Sequence, residues 1–228
     1  LGCRKGDEAM LRIALTKGRV EKKFIPLLEK CNIDCQPLID KQRRLIINLG
    51  DQYQIILVKG EDVCTYLRKG AVDLGVVGND VLEEQGADEQ VNELLDLNTG
   101  RCQFIVASKS DFDWNQPRRK VIGTKYPNVA RRWFASQGED VEIIKIAGSV
   151  ELAPLTGLAD AIVDLTETGT TLRVNHLVVH DWLDVITSRL VANPVALKQK
   201  RDEIFALTNQ LRQAMEEEYD EDLRKVPE

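Results

Sequence analysis

The segment with the clearest chemistry runs from Ala161 to Leu172 and reads AIVDLTETGTTL. Its apolar residues predict a buried strand that ends in the carboxylate of Asp164. Threonines and Gly169 follow at once and lead into a predicted helix start, where unpaired backbone N–H groups and hydroxyls suit a phosphate. Asp164 is placed to accept hydrogen bonds from vicinal ribose hydroxyls. The pattern therefore predicts a site for a ribose 5-phosphate.

This loop has a structural alternative, because threonine and glycine also make ordinary caps and turns. Composition and spacing alone leave both readings open. The residues predicted to bind the phosphate are consecutive in the chain: Thr166, Glu167, Thr168, Gly169, Thr170 and Thr171.

Other polar clusters follow predicted strands, where an open α/β sheet binds its ligands. Lys17 and Arg19 flank Gly18 after the first strand, and Lys59 ends another strand. These cations suit a polyphosphate, and a solvated basic turn is the alternative. The other candidates for substrate contact are Asp73, Gly78, Asn79, Asp80, Thr124, Lys125 and Tyr126.

Two of these clusters also have structural alternatives. Asn79 and Asp80 can cap the helix that follows them, and this capping is compatible with binding. The ring of Tyr126 can meet a base or sugar, or it can be plain core packing.

The elements that must position these residues alternate between strand-like and helix-like segments, which is typical of an α/β fold. Residues 178–191 read as extended segments. Asn193 and Pro194 then predict the cap and first turn of one C-terminal helix. Its charged end, residues 216–228, is expected to fray.

The composition is that of a soluble globular protein, with 43% hydrophobic and 30% charged residues over 228 positions. A net charge of −6 argues against nonspecific nucleic-acid binding, which needs a broad basic surface. No apolar run approaches the ~20 residues of a membrane span, and the polar start is no secretory signal. We expect a cytoplasmic protein whose five cysteines, including Cys31 and Cys35, are thiols rather than disulfides or zinc ligands.

Several motifs extend this picture over most of the chain. They are LTKGR at 15–19, AVDLGVVGND at 71–80, TKYPNVARR at 124–132, GSVELAP at 148–154, and the run from Glu151 to Leu172 that holds the phosphate loop. In this order, over residues 11 to about 215, they resemble the ATP phosphoribosyltransferase family.

The resemblance implies a two-lobed, periplasmic-binding-protein-like (type II) α/β architecture with the active site in the interlobe cleft. The expected lobes are residues 10–105 plus 188–228, and residues 106–187, which carry the phosphoribosyl loop. Residues 1–9 lie outside the resemblance and are expected to be a flexible extension.

The resemblance also implies the reaction: adenine N1 of ATP displaces pyrophosphate from phosphoribosyl pyrophosphate, in the first step of histidine biosynthesis. Mg²⁺ would be carried largely by the substrate pyrophosphate, with no metal site built by the protein alone. Lys17, Arg19 and Lys59 would be the catalytic cations. Glu151 would be either a helix cap or part of the ribose or Mg²⁺ environment.

The expected assembly follows from the same resemblance. The predicted elements end with one amphipathic helix, which resembles the family's short form. That form works as a homodimer with a regulatory subunit similar to histidyl-tRNA synthetase.

Two other functions remain open from the sequence. Two-lobed α/β domains commonly bind small solutes without catalysis, and other phosphoribosyltransferases would use the same sugar donor. The absence of an export signal argues against the first, and the motifs outside the loop favour ATP as the acceptor.

Overall fold

The computed structural model describes residues 10–86 and 90–224, so the expected extension at 1–9 lies outside the described residues. The strands are β1 (Leu11–Thr16), β2 (Ile46–Leu49), β3 (Tyr53–Val58), β4 (Leu74–Gly78), β5 (Asn92–Asp96), β6 (Cys102–Lys109), β7 (Lys120–Thr124), β8 (Val141–Lys145), β9 (Ala161–Thr166), β10 (Leu177–Ile186) and β11 (Ser188–Ala192). The helices are α1 (Arg19–Lys30), α2 (Gln36–Ile39), α3 (Gly60–Arg68), α4 (Asn79–Gln85), α5 (Pro127–Ser136), α6 (Leu152–Thr156), α7 (Thr170–Val174), α8 (Pro194–Gln199) and α9 (Arg201–Arg224).

The chain folds into two compact units. Unit 1 comprises the chain up to Leu82, the segment Gly86–Gly100, and the chain from Thr187 onward. Unit 2 comprises Glu83–Gln85 and Arg101–Ile186. Both are α/β units with mixed sheets, which confirms the predicted fold class.

The sheet of unit 1 has the strand order β2-β3-β1-β4-β11-β5. β1 runs parallel to β3 and β4, whereas β11 is antiparallel to both β4 and β5. The central strands are apolar on both faces because helices cover both sides. Phe24 of α1 and Ile204 of α9 pack in the core on one side, and Val63 of α3 packs in the core on the other.

A buried ion pair joins the start of the unit 1 sheet to its last helices. Lys200, between α8 and α9, donates its Nζ to Asp73 Oδ2 at 3.0 Å and to the carbonyl oxygen of Met10 at 2.8 Å. Asp73 is 5% exposed, and it also accepts the backbone N–H of Arg12 at 2.8 Å. The single C-terminal helix that we predicted is instead two helices, α8 and α9, which are separated at Lys200.

We expect Lys200→Met to destabilise the protein by about 3 kcal/mol, because it leaves a buried carboxylate without its main cation. This value is at the lower end of the range for a broken buried ion pair, because the N–H of Arg12 still donates to Asp73 and Arg12 Nε lies 3.9 Å from Asp73 Oδ2. Urea unfolding of the full chain measures the change. Lys198→Met is the control, because Lys198 is an exposed lysine on α8. Equal losses of unfolding free energy in the two variants would contradict the role of the ion pair.

The sheet of unit 2 has the strand order β10-β6-β9-β7-β8. β9, β7 and β8 are parallel, and β6 pairs antiparallel with β9. Phe104, Tyr126 and Phe134 lie in the core on one face of this sheet, and Ile162 lies in the core on the other. Because β7 and β9 are parallel neighbours, the loops that follow them leave the same edge of the sheet.

Of two sequence predictions about the end of the chain, one is confirmed and one is revised. Residues 178–191, predicted as extended, lie in β10 and β11, which belong to different sheets. α9 continues to Arg224, well past residue 216, where we expected fraying. Over the residues that the structure describes, no helix combines the length and the apolar character needed to cross a membrane.

Candidate phosphoribosyl site

A polar pocket of about 360 Å³ lies on unit 2 at the carboxyl end of β9. Asp164 and Glu151 line it together with the whole predicted phosphate loop. The lining residues are Ile105, Glu151, Asp164, Leu165, Thr166, Glu167, Thr168, Gly169, Thr170, Thr171 and Leu172. The two ends of the sequence motif from 151 to 172 therefore line the same pocket.

Asp164 owes its position to the strand that precedes it. Ala161, Ile162 and Val163 are fully buried, so β9 is fixed in the core and presents Asp164 at the edge of the pocket. Burial raises the pKa of Asp164 to about 6, and the charge of Glu151 adds to this rise. The N–H of Leu165, which donates to Asp164 Oδ1 at 2.8 Å, and the charge of Lys125 act in the opposite direction.

Glu151 occupies the N-cap position of α6, but its side chain makes no capping hydrogen bond. The carboxylate instead lines the pocket that contains Asp164. The Glu151 side chain therefore lines the pocket and does not cap α6.

The phosphate loop is held by its own side chains. Gly169 has a left-handed backbone (φ 67°), which strains any residue other than glycine. Its N–H donates to Thr166 Oγ1 at 2.9 Å, and this bond closes the turn. α7, which follows, has five residues, so its dipole is small and any donors for an anion would come from the loop itself.

Arg173 lies on α7 and is hydrogen-bonded to this loop, and we did not predict it from the sequence. Its Nη1 donates to the carbonyl oxygen of Thr168 at 2.9 Å, and its Nη2 donates to Thr170 Oγ1 at 3.0 Å. The only sequence signal was its spacing of three residues from Thr170, which places the two on one side of a helical turn.

Two residues that we predicted to contact substrate after β7 are structural instead. Thr124 is fully buried; its hydroxyl donates to the carbonyl oxygen of Val163 at 2.7 Å and accepts the N–H of Tyr126 at 2.9 Å. Tyr126 is 8% exposed and packs edge-on against Phe104. Core packing, the alternative noted for Tyr126, is the correct reading. Lys125, between them, is partly exposed, and its charge lowers the pKa of Asp164 in the pocket.

Unit 1 collects its candidate cations at one edge of its own sheet. Lys17 follows β1 and Lys59 follows β3, and the paired ends of these strands are Thr16 and Val58. Lys17, Gly18, Arg19 and Lys59 are exposed. β4 ends at the same edge with Gly78, and Asn79 and Asp80 begin α4 there.

Two residues at this edge have defined internal bonds. Gly18 has φ 88° and ψ −118°, a conformation open only to glycine, and its N–H donates to Glu21 Oε2 at 3.2 Å. Asn79 Oδ1 accepts the N–H of Thr187 at 2.8 Å. Gly18 and Asn79 therefore shape this edge, whatever ligand it binds.

Asp73 is a correction to our predicted site. It precedes β4, at the opposite end of the strand from Gly78, and its carboxylate is engaged by Lys200 and by the N–H of Arg12. A five-residue strand spans about 16 Å, so Asp73 cannot reach a ligand at the carboxyl edge. Its role is to stabilise unit 1.

Comparison with known proteins supports these observations. A family model described as ATP phosphoribosyltransferase matches residues 59–213. The ATP phosphoribosyltransferase of Lactiplantibacillus plantarum is 57% identical over 90% of this chain and 93% of its own length. That of Lacticaseibacillus casei is 56% identical over 91% of this chain and 98% of its own.

Solved structures agree at two levels of similarity. The ATP phosphoribosyl transferase (HisG:HisZ) complex from Thermotoga maritima matches with a TM-score of 0.79 and 34% identity, covering 91% of this chain and 100% of that one. The periplasmic VFT2 domain of Bordetella pertussis BvgS matches with a TM-score of 0.54 and 14% identity, covering 92% and 94%. At that identity only the fold is shared.

The fold is that of the periplasmic-binding-protein-like (type II) α/β class. The family model covers more than half of the chain, and the relatives exceed 50% identity over nine-tenths of it. The chain belongs to the ATP phosphoribosyltransferase family.

Proposed function

We propose that this protein is the enzyme that condenses ATP with phosphoribosyl pyrophosphate to give N1-(5-phosphoribosyl)-ATP and pyrophosphate, the first step of histidine biosynthesis. Membership of the family supports the reaction. The observation that carries the site is the pocket in which two carboxylates, Asp164 and Glu151, face a loop of threonines and glycine.

The loop is proposed to bind the 5-phosphate of the sugar. Thr166, Glu167, Thr168, Gly169, Thr170 and Thr171 line the pocket. Among the described residues, the hydroxyl of Thr171 makes no internal hydrogen bond, so it is available to an anion. Asp164 and Glu151 would accept hydrogen bonds from the ribose hydroxyls, and their negative charge would face the electron-poor sugar as its bond to pyrophosphate breaks.

The reaction asks little proton chemistry of the protein. Adenine N1 attacks with its own lone pair, so alignment and charge stabilisation are the main tasks. We assign Lys17, Arg19 and Lys59 to the phosphates of ATP and of the leaving pyrophosphate. Gly18, Gly78, Asn79, Asp80 and Lys125 are proposed to complete the substrate contacts.

We propose that Mg²⁺ binds together with the substrate, mainly through the phosphate oxygens of the substrate. Among the described residues no three His, Cys, Asp or Glu side chains group as a metal site, whereas Asp164 and Glu151 offer carboxylate oxygens in one pocket. Mg²⁺ typically takes one or two carboxylates together with substrate phosphates. When bound, the ion would neutralise charge on the leaving pyrophosphate.

We also propose the assembly and compartment. The HisG:HisZ complex of Thermotoga maritima supports association with a HisZ partner. The homodimer, and the likeness of the regulatory subunit to histidyl-tRNA synthetase, are proposed from the family resemblance alone. The described cysteines, among them Cys31 and the buried Cys35, are thiols rather than disulfides, which supports the cytoplasm. Burial raises the pKa of Cys35 to about 11, as expected for an inert thiol.

The test is the complete reaction. Purified chain, ATP, phosphoribosyl pyrophosphate and Mg²⁺, with pyrophosphatase present, are expected to give the near-ultraviolet change of N1-substituted adenine, and omission of any substrate or the metal is expected to abolish it. If the protein is silent alone, the regulatory partner is added. Silence in both cases, with donor binding intact, would contradict the enzyme and favour a solute-binding protein.

A further inference from the structure

Arg173 makes a two-point contact with the loop that binds the phosphate. Its guanidinium donates Nη1 to the carbonyl oxygen of Thr168 at 2.9 Å and Nη2 to Thr170 Oγ1 at 3.0 Å. The two acceptors flank Gly169, and an added Cβ at Gly169 would lie 3.4 Å from Nη1. The planar fork therefore spans the left-handed residue and holds both of its neighbours.

The contact also constrains the hydroxyl hydrogens of the loop. Thr168 Oγ1 and Thr170 Oγ1 are 2.9 Å apart and share one hydrogen bond. Together they have two hydrogens and four lone pairs. Their mutual bond uses one of each, and Arg173 Nη2 and the N–H of Thr170, which lies 3.4 Å from Thr168 Oγ1, occupy two more lone pairs.

One hydroxyl hydrogen remains for an outside acceptor in either direction of the shared bond. The positive charge of Arg173 favours the direction in which Thr170 donates to Thr168, because the dipoles then point away from the guanidinium. Thr168 is left with its own hydrogen to donate. Bonds in such a chain polarise one another, so a cation at one end strengthens the donor at the other.

We propose that Arg173 is a positioning residue for the sugar 5-phosphate: it fixes the loop around Gly169 and makes the Thr168–Thr170 hydroxyl pair a net donor to the phosphate. This inference rests on the proposed function of the loop. Arg173 acts through the threonines, and its charge adds to the attraction of an anion.

The test compares Arg173→Met with the parent for binding of ribose 5-phosphate and of ATP, by calorimetry on the full chain. We expect about tenfold weaker binding of ribose 5-phosphate, the effect of one charge-assisted hydrogen bond, and ATP binding within about twofold of the parent on the same scale. Arg119→Met, which removes an exposed arginine before β7, is the matched control and should bind ribose 5-phosphate like the parent.

Two further variants separate positioning from a simple charge or folding effect. Arg173→Lys keeps the charge but loses the fork, so it should restore less than half of the lost binding free energy. Thr170→Val breaks the same hydroxyl chain, so the double variant Arg173→Met/Thr170→Val should bind no more than about twofold more weakly than the weaker single variant. Losses that multiply, full rescue by lysine, or equal loss of ATP binding would each overturn the proposal.

The parent protein separates this inference from the function beneath it. If the parent itself fails to bind ribose 5-phosphate, the assignment of the phosphate loop is wrong. If the parent binds it and Arg173→Met binds it equally well, the loop assignment stands and only the role of Arg173 is wrong.

Discussion

Asp164→Asn is expected to raise the KM for phosphoribosyl pyrophosphate by about 10- to 100-fold, the range for loss of hydrogen bonds to a charged acceptor. The amide keeps the shape of the side chain but loses the negative charge and one of the two oxygens that accept hydrogen bonds from the ribose hydroxyls. ATP makes its proposed contacts with other residues, so its KM should change by no more than about twofold. Steady-state kinetics with each substrate varied in turn measures both values.

Asp140→Asn is the matched control for this change. Asp140 is also in unit 2, and its carboxylate is 82% exposed and paired with Arg119, so the variant should behave like the parent. An Asp164→Asn protein that used the donor normally but had lost ATP would show that the two substrates have been assigned to the wrong residues.

The pH dependence of donor binding follows from the raised pKa of Asp164. Ionised Asp164 is the acceptor, so the KM for the donor should fall as the pH rises through about 6 and then level off. A phosphate monoester also titrates near pH 6. The ratio of the donor KM of the parent to that of Asp164→Asn therefore isolates the contribution of the carboxylate. A KM ratio that stays flat from about pH 5 to about pH 7.5 would contradict the role of ionised Asp164.

The stability of the unliganded protein should respond with the opposite sign. The folded protein holds the Asp164 proton more tightly than the unfolded chain does. This group's contribution is therefore fully present below the ordinary aspartate pKa of 3.8 and is lost as the pH rises through about 6. Asp164→Asn should accordingly gain thermal stability relative to the parent across that window. Melting curves at several pH values check the direction.

Lys17→Met should lower kcat by about 100-fold, by analogy with the loss of one group that stabilises developing charge. Lys17 is exposed at the end of β1, and its backbone N–H donates to the carbonyl oxygen of Val58 at 3.0 Å. Methionine keeps that bond and the length of the side chain, so the variant removes the cation alone. Lys59→Met, at the end of the neighbouring strand, should act in the same direction.

Lys23→Met is the control for Lys17, since Lys23 is an exposed lysine on α1, the helix that follows directly. A rise in the KM for ATP with kcat unchanged would show that Lys17 binds the nucleotide equally in the ground and transition states. In that case it would have no special role toward the leaving pyrophosphate.

Local patterns predicted much of the fold and the loop. The apolar run before Asp164 forms β9, and Asn193 caps α8 with its side chain, accepting the N–H groups of Val195 and Ala196. These features depend on neighbours within a few residues, which is the range that a sequence pattern reports.

Errors arose where a distant partner decides the role of a residue. Asp73 was predicted to contact the ligand because nothing near it in the sequence indicates its partner. That partner, Lys200, is 127 positions away in the chain. The predicted C-terminal helix is also interrupted at Lys200. The sequence NELLD of β5 is mostly polar and gives no strand signal of its own, and it forms a strand because it pairs with β11.

The place of β11 also has a consequence for the order in which the protein is made. β11 lies between β4 and β5 in its sheet, yet in the chain it follows every strand of unit 2. On the ribosome, residues 101–186 can finish their own sheet while β4 and β5 still wait for the strand that joins them. Nascent unit 1 is therefore expected to expose open strand edges during synthesis, and such edges are prone to pair with other chains until β11 is made.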